Sequence, residues 1–347
     1  MTIQRRAVAL LSGGLDSMLA VKIVQQQGIY VEGLNFFTGF CVEGHTHAIR
    51  NQDNKLPKRN NALWAAEQLG IKLHFIDIVD EYKRVVINPK HGYGSNINPC
   101  MDCKIFMIGK AMQWLQENGF DFIITGEVIG QRPMTQNKYK LPIIAKQSGA
   151  DDLLVRPLCA KNLAPTLPER EGWLNREQLY SITGRSRKPQ FDMAAQFGFA
   201  DFAQPAGGCC FLTDAYYTKK LIDLWQSRGH RDYELDDIML LKVGRHIRPK
   251  QHFKLIVARD EGESRFLQGY QKEFISLQAT SHKGSLTLVD GKPAQDDLTL
   301  IAQIVARYGQ GKHEQQVTVA LTQLDGSAQI LTVQPFQDDQ LLAHWQI

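Results

Sequence analysis

The stretch Ser12-Gly13-Gly14-Leu15-Asp16-Ser17 decides the fold of this chain, because it joins an apolar run to an amphipathic one. The preceding residues, Ala7-Val8-Ala9-Leu10-Leu11, are typical of a buried strand, and the residues from about Ser17 to Gln27 predict a helix. A strand, a glycine turn and a helix place backbone N–H groups and a helix N-terminus at the carboxyl edge of a sheet. Phosphate binds at that edge, although an ordinary strand-to-helix turn has the same outline.

Apolar strands and amphipathic helices go on alternating as far as residue 125. We expect further strands at 31–37, 72–78 and 122–125, and helices at about 59–69 and 103–117. This βαβ order predicts an α/β fold with a doubly wound, Rossmann-like parallel sheet.

The pattern changes after residue 131, where proline-bearing basic segments predict loops packed on the first domain. Short alternating strands, such as 253–258 and 316–321, follow a helix near residues 216–226. With 347 residues, two domains are expected. We place them at 1–215 (the catalytic domain, with the cysteines described below) and 216–347 (a smaller α+β domain).

Composition excludes several classes of protein. The chain is 43% hydrophobic and 22% charged, and it has no apolar run long enough to span a membrane. The N-terminus lacks the features of a signal peptide, so a cytoplasmic protein without a membrane partner is expected. A net charge of +4 and a pI near 8.6 are compatible with a polyanionic partner. Six cysteines in such a chain favour metal, redox or catalytic roles over disulfides.

The glycine loop resembles the SGGxDS signature of the PP-loop ATP pyrophosphatase superfamily, since it fits neither the Walker A pattern nor G-x-G-x-x-G. These enzymes cleave ATP between the α and β phosphates and leave AMP on an acceptor. The resemblance implies that Gly13, Gly14, Asp16 and Ser17 hold pyrophosphate. Ser12 and Ser17 offer hydroxyl donors, and Asp16 would cap the helix or help to hold Mg²⁺.

A second motif, Ile123-Ile124-Thr125-Gly126-Glu127-Val128-Ile129-Gly130-Gln131, resembles the ITGExxGQ segment of tRNA 4-thiouridine synthetases. It follows a predicted strand and would meet the first loop at the same sheet edge. We expect Gly126 and Gln131 to contact phosphate, although a bare turn would also carry a glycine here. Glu127 is left open between a magnesium ligand and a solvated carboxylate.

A cysteine pair begins another helix, in Asn98-Pro99-Cys100-Met101-Asp102-Cys103. Asn98 suits the N-cap and Pro99 the first helical position, so both thiols would lie in the first turn. The helix terminus is expected to lower the pKa of both thiols, which suits metal binding or nucleophilic attack. A thioredoxin-like redox pair and half of a zinc site are the alternatives.

A third cysteine follows two glycines in Pro205-Ala206-Gly207-Gly208-Cys209-Cys210. This arrangement resembles the cluster-dependent tRNA thiolation enzymes of the PP-loop superfamily, whereas related 2-thiouridylases have Asp-x-x-Cys at the earlier pair. The resemblance implies a 4Fe-4S cluster on Cys100, Cys103 and Cys209, with one iron open for sulfide. We choose Cys209 over Cys210 because it directly follows the glycines. Cys41 and Cys159 are expected to be small buried hydrophobes, and Cys41, His45 and His47 lack a fourth metal ligand nearby.

Two basic segments are candidate RNA contacts. Residues 242–254 contain a GRHxRP pattern that resembles the NFACT-type RNA-binding domain, although a solvated edge strand also carries such charges. The residues proposed to contact RNA are Arg245, Arg248 and Lys250 in this segment and Arg185, Arg187 and Lys188 before it.

Together these resemblances imply an enzyme, an ATP-dependent tRNA sulfurtransferase. ATP would adenylate a uridine carbonyl, and sulfide or a sulfur carrier would supply the sulfur that displaces AMP. A PP-loop ligase acting on a small carboxylate or amide, and an RNA-binding factor regulated by nucleotide, are the rival hypotheses. The sequence leaves the modified base and the oligomeric state open, with a homodimer as one candidate.

Overall fold

A computed structural model of the chain describes residues 4–42, 59–203 and 209–347. The described residues divide into two compact units, and the division falls between Cys209 and Cys210. His45 and His47 of the weak metal pattern, and the two glycines before Cys209, lie outside the described residues.

Strands and helices alternate along the first unit. Its strands are β1 (Arg6–Leu10), β2 (Tyr30–Phe37), β3 (Leu73–Asp77), β4 (Phe122–Ile124) and β5 (Leu154–Val155). Its α-helices are α1 (Leu15–Gln25), α2 (Asn61–Leu69), α3 (Val79–Ile87), α4 (Cys100–Asn118), α5 (Lys140–Gln147), α6 (Leu167–Arg170) and α7 (Lys188–Gln196). Two 3₁₀ turns, Ala160–Asn162 and Arg176–Gln178, lie between α5 and α7.

The five strands form a parallel sheet in the order β3-β2-β1-β4-β5. Connections from β1 run to one side and those after β3 return to the other, so the order reverses between β1 and β4. In open α/β sheets this reversal opens a crevice at the carboxyl ends of the two strands, where ligands bind. Both predicted motifs follow these two strands, and the predicted doubly wound α/β fold is confirmed.

The second unit begins with a 3₁₀ turn, Phe211–Thr213, and is built around antiparallel strands. Its α-helices are α8 (Ala215–Arg228), α9 (Leu235–Leu240), α10 (Glu261–Gln268), α11 (Asp297–Arg307) and α12 (Asp339–Trp345). Its strands are β6 (Arg245–Lys250), β7 (Phe253–Val257), β8 (Ile275–Ala279), β9 (Thr287–Gly291), β10 (Val317–Thr322) and β11 (Ala328–Val333).

These strands form one antiparallel sheet in the order β11-β10-β8-β9-β7-β6. The apolar face of α11, including Ile301 and Val305, is buried in the core that this sheet helps to form. The alternation of buried and half-buried residues in β10 matches a strand with one covered face. The α+β architecture predicted for the second domain is therefore confirmed.

Candidate functional site

The glycine loop turns sharply at Gly13, whose φ of 77° lies in the left-handed region. A Cβ at Gly13 would lie 2.5 Å from the carbonyl carbon of Asn61 and 2.6 Å from the amide nitrogen of Ala62. The loop therefore packs against the start of α2, and only glycine fits. Gly14 is the N-cap of α1, and the Ser17 hydroxyl donates to the Gly14 carbonyl oxygen at 2.7 Å.

Gly126 brings the second motif against the first. A Cβ at this position would lie 2.4 Å from the carbonyl carbon of Asp16 and 2.5 Å from the amide nitrogen of Ser17. The backbone after β4 thus touches the first turn of α1, as the shared sheet edge predicted. We call the region formed by residues 12–17, 125–131 and Arg187 the loop edge.

Asp16 is the centre of a polar network at the loop edge. Its carboxylate accepts from Gln131 Nε2 at 2.6 Å and from Arg187 Nη2 at 3.1 Å. Gln190 is fully buried and donates through Nε2 to Gln131 Oε1 at 3.1 Å. Both Asp16 oxygens are thus engaged by protein donors, with less than a fifth of each charged side chain exposed.

Arg187 reaches Asp16 because its loop is joined to the second motif. The Gly184 amide donates to the Ile129 carbonyl oxygen at 2.7 Å, and Gly130 and Gly184 are close enough that a Cβ on Gly130 would meet the Gly184 backbone at 3.1 Å. The Nε atom of Arg187 is buried and has no hydrogen-bond partner among the described residues. Arg187 therefore offers an unused N–H donor at the loop edge.

Glu127 is not solvated. It is buried, and it forms an ion pair with Arg156 at 2.8 Å while Thr125 donates to it at 3.1 Å. Lys104 Nζ lies 3.8 Å from its other oxygen. Burial alone would raise the pKa of Glu127, but Lys104 and Arg156 outweigh burial and hold the pKa below its ordinary value. Glu127 is thus a buried carboxylate between two cations.

The cysteine pair occupies the first turn of α4, as predicted, but the capping differs. Pro99 is at the N-cap position, and Asn98 donates instead to the Ser95 carbonyl oxygen at 2.5 Å. The Cys103 amide donates to the Pro99 carbonyl oxygen at 2.8 Å, which closes the turn under both half-buried cysteines. Lys104 follows directly, so the ion pair with Glu127 ties this turn to the segment after Gly126.

The expected lowering of the thiol pKa values is wrong. Burial raises the pKa of Cys103 to about 12, and burial also raises the pKa of Cys100. Repulsion from Cys209 adds to both increases. Desolvation of the thiolates therefore outweighs the helix terminus and the nearby Lys104.

Cys209 is exposed and belongs to the first unit, whereas Cys210 is half-buried and begins the second. Cys209 contributes to the raised pKa of both other thiols, and thiols are the donors that an iron–sulfur cluster requires. Within residues 4–42, 59–203 and 209–347, no three His, Cys, Asp or Glu side chains are grouped as metal ligands. The donor chemistry thus fits a cluster, while the side-chain geometry does not define one.

Of Cys41 and Cys159, which were both expected to be buried, only Cys159 is buried. Cys159 is fully buried and its thiol donates to the Glu127 carbonyl oxygen at 3.2 Å. Cys41 is half-buried rather than buried, beside the Thr38 hydroxyl at 3.4 Å.

The predicted RNA contacts before α7 divide into two kinds. Arg185 and Lys188 are exposed, and Lys188 forms an ion pair with Asp192 at 3.0 Å. Arg187, between them, turns toward Asp16 instead. The spacing of the basic residues could not predict the Arg187–Asp16 contact, because the two residues are 171 positions apart in the chain.

The cations of β6 and β7 are mostly held by carboxylates of their own unit. Arg248 binds Asp223 through two nitrogens, at 2.5 and 2.8 Å, and Lys250 lies 2.5 Å from Asp297. Lys254 is buried, 3.3 Å from Asp290 and 3.6 Å from Asp223. Arg245 has no carboxylate within ion-pair distance in the part of the chain that the structure describes, and its guanidinium lies 5.2 Å from the Tyr308 ring centroid.

Two parts of the chain are similar to known kinds of domain. Residues 5–152 match the family model of the tRNA methyl transferase HUP domain, and residues 244–346 match that of the NFACT protein RNA binding domain. The first match contains the glycine loop, the second motif and the cysteine pair. The chain is thus similar to a HUP domain of the tRNA methyl transferase type followed by an NFACT-type RNA-binding domain.

Two curated proteins are also similar to this chain. The chain is 28% identical over 229 residues to the tRNA-specific 2-thiouridylase MnmA of Petrotoga mobilis, which covers 62% of this chain and 58% of that protein. It is 33% identical over 233 residues to the enzyme of the same name from Mesoplasma florum, with coverage of 63% and 58%. The chain thus spans less than two thirds of these relatives. It is similar to PP-loop tRNA-modifying enzymes, as its motifs predicted.

A solved 4-thiouridine synthetase–RNA complex with bound ATP also resembles part of the chain, at 20% identity and a TM-score of 0.37, covering 56% of this chain and 41% of that one. Among the described residues, no helix is long and apolar enough to cross a membrane.

Proposed function

We propose that this protein is an ATP-dependent tRNA sulfurtransferase that releases AMP and pyrophosphate. One observation carries the proposal: the thiol-bearing turn of α4 is tied to the loop edge through the Lys104–Glu127 ion pair, next to Gly126. An adenylating site and a sulfur-handling site would thus share one sheet edge. The matches to tRNA-modifying relatives and to an RNA-binding domain support tRNA as the substrate.

The first step is adenylation. A uridine carbonyl oxygen attacks the α phosphorus of ATP, and the bond to the β-phosphate oxygen breaks with its electrons, releasing pyrophosphate. The backbone N–H groups of Gly13 and Gly14 and the N-terminus of α1 would hold the departing phosphates, with the Ser12 hydroxyl as a donor and the Ser17 hydroxyl as another once it leaves the Gly14 carbonyl oxygen. Mg²⁺ would neutralise phosphate charge, and Asp16 would help to hold it.

Gln131 and Arg187 complete this site in our proposal. Both donate to Asp16, and Arg187 has a further buried N–H without a partner. An oxygen of the triphosphate would satisfy that donor. We therefore assign Arg187 to ATP and keep Arg185 and Lys188, which are exposed, as RNA contacts.

The second step replaces oxygen by sulfur. Sulfide attacks the activated carbon, and the carbon–oxygen bond breaks to release AMP, so no external oxidant or reductant is needed. A 4Fe-4S cluster held by Cys100, Cys103 and Cys209 would supply an iron site for that sulfide. Lys104 would offset part of the negative charge gathered beside the thiols.

Anaerobic purification tests the cluster part. Iron content, absorption and EPR spectra should show a cluster in the wild type and in Cys210→Ala, but not in Cys209→Ala. The opposite pattern in the two variants would make Cys210 the ligand. A colourless, iron-free protein with full thiolation activity would end the cluster proposal while leaving adenylation intact.

A further inference from the structure

An open groove of about 1390 Å³ crosses the second unit. It is bounded by α10, by residues 278–285 at and after the end of β8, by residues 307–312 at and after the end of α11, and by α12. Pockets for small molecules typically measure about 300–1,000 Å³ and are mostly apolar. This groove is larger, and its lining is mostly polar or charged, with few apolar side chains such as Leu342. Its size and open form, together with its charged side chains, favour a polymer over a buried small molecule.

The two loops on one side of the groove are fixed to each other. The Gln310 amide donates to the Lys283 carbonyl oxygen at 2.8 Å. A Cβ at Gly311 would lie 2.8 Å from the His282 Nδ1 atom, and one at Gly284 would lie 2.8 Å from the Ala279 Cβ atom. Such close approaches mean that the two loops are tightly packed, so Lys283 and Lys312 are carried on a closely packed framework.

The charges that line the groove are not all neutralised. The lining contains five Lys or Arg and three Asp or Glu. Arg265 pairs with Glu261 at 2.5 Å, and Arg307 pairs with Asp339 at 2.7 Å. Lys283 and Lys312 are exposed, and neither has an ion-pair partner among the residues that the structure describes. Two ammonium groups therefore remain for an anionic ligand.

An aromatic ring lies beside these cations. Tyr308 lines the groove, and the Arg245 guanidinium lies 5.2 Å from its ring centroid. Single-stranded RNA is held by phosphate contacts to cations and by bases stacked on aromatic or guanidinium planes. The groove offers both kinds of contact, whereas Arg248 and Lys250 of β6 are already engaged by Asp223 and Asp297.

We propose that this groove, rather than strand β6, holds a single-stranded part of the RNA substrate, with Lys283 and Lys312 on its phosphates and Tyr308 against a base. This inference rests on the proposed function, because that function makes RNA the substrate. Of the RNA contacts predicted in the second unit, we retain Arg245, because its guanidinium lies beside the Tyr308 ring that would contact a base.

The test compares two double variants of the full-length protein that lose the same charge from the same unit. Lys283→Gln with Lys312→Gln alters the groove. Lys272→Gln with Lys292→Gln removes two other exposed lysines, which do not line it. Fluorescence anisotropy with labelled tRNA and with a single-stranded oligonucleotide, at several salt concentrations, gives the affinities.

The groove variant should bind both RNAs at least tenfold more weakly, and the slope of log K against log salt should fall by about 1.4, since each single-strand phosphate contact contributes about 0.7. The control should change less than twofold. Tyr308→Leu should weaken oligonucleotide binding about fivefold or more without altering the salt slope.

The inference would be overturned if both double variants weakened RNA binding equally, or if neither variant weakened it. It would also be overturned if polyglutamate competed with the labelled RNA as effectively as unlabelled RNA does, because the groove would then be a site for acidic peptides. If the wild type thiolates tRNA while the groove variant binds it normally, only this inference fails. If the wild type does not bind tRNA, the proposed function fails with it.

Discussion

The loop edge of the first unit and the basic strands β6 and β7 of the second were both predicted to contact a phosphate-bearing ligand, and they are built in opposite ways. At the loop edge, glycines let two backbone segments meet, and Arg187 keeps a buried donor unused. In the basic strands, Arg248, Lys250 and Lys254 are satisfied by Asp223, Asp290 and Asp297. A cation that is paired with carboxylates of its own unit thus stabilises the fold, whereas a cation with an unused donor is available to a ligand.

The largest expected effect is on the stability of the basic strands β6 and β7. Lys254→Met removes a buried cation that lies between the Asp223 and Asp290 carboxylates. Because these carboxylates lose a partner, we expect the free energy of opening of strands β6 and β7 to fall by roughly 3 kcal/mol. Hydrogen exchange of their amides in the full-length protein measures it. Arg245→Gln is the control and should cost less than about 1 kcal/mol. Equal costs would mean that the ion pairs do not hold these strands.

The next effect is on catalysis. Gly126→Ala would drive a Cβ into the Asp16–Ser17 backbone, so tRNA-dependent pyrophosphate release should fall about 100-fold, near 3 kcal/mol. In the control, Gly14→Ala, the new Cβ would have no neighbour nearer than the Ser12 hydroxyl at 3.5 Å, and we expect less than a tenfold loss. Thermal unfolding separates misfolding from lost catalysis. A Gly126→Ala protein with normal turnover would disprove the close packing of the two motifs.

A smaller effect distinguishes two arginines of one loop. Arg187→Gln should raise KM for ATP about tenfold, equivalent to about 1.4 kcal/mol, because a donor at the triphosphate is lost. Arg185→Gln carries the same charge change two residues away and should alter KM for tRNA instead. Steady-state kinetics with each substrate varied provide the measurement. If both variants changed only KM for tRNA, Arg187 would return to the RNA surface.

The smallest effect is a pH dependence in the second unit. His246 is fully buried, and burial lowers the pKa of its imidazole well below the ordinary value, with Lys220 and Lys254 adding repulsion. The unfolded chain therefore binds a proton below about pH 6.5 that the folded unit does not bind, so stability falls on acidification, by about 1 kcal/mol between pH 6.5 and 5.5.

Hydrogen exchange of the β6 amides across this range measures the His246 effect, with His246→Gln as the control. The glutamine variant should lose this part of the dependence. Wild-type protection that increased on acidification would show that the imidazole is protonated in the folded unit.

How much the sequence could predict depended on the kind of pattern. The strand before Ser12 and the glycines after it predicted the sheet, the helix and the edge, because apolar periodicity and left-handed turns are local. The contact of Gly126 with the first loop followed from topology. The Asp16–Arg187 and Glu127–Arg156 pairs could not be predicted, because each joins residues far apart in the chain. Lys104, directly after Cys103, was visible but had no pattern to single it out.

The thiols illustrate the same limit in another way. Their place in the first turn of α4 was predicted from Pro99 and the helical pattern, and it is confirmed. Their pKa direction was predicted wrongly, because a helix terminus can be read from sequence while burial cannot. Whether they hold a cluster stays a proposal, as does a homodimer.

The most direct test of the central claim combines tRNA from a strain lacking this gene with the anaerobically purified protein, ATP, Mg²⁺ and sulfide. Mass spectrometry of the nucleosides and nucleotides should show a new thiolated uridine, with at least one AMP and one pyrophosphate formed for each sulfur inserted. Gly126→Ala should lower the formation of both products about 100-fold. Thiolation without ATP cleavage, or cleavage to ADP and phosphate, would contradict adenylation at the loop edge.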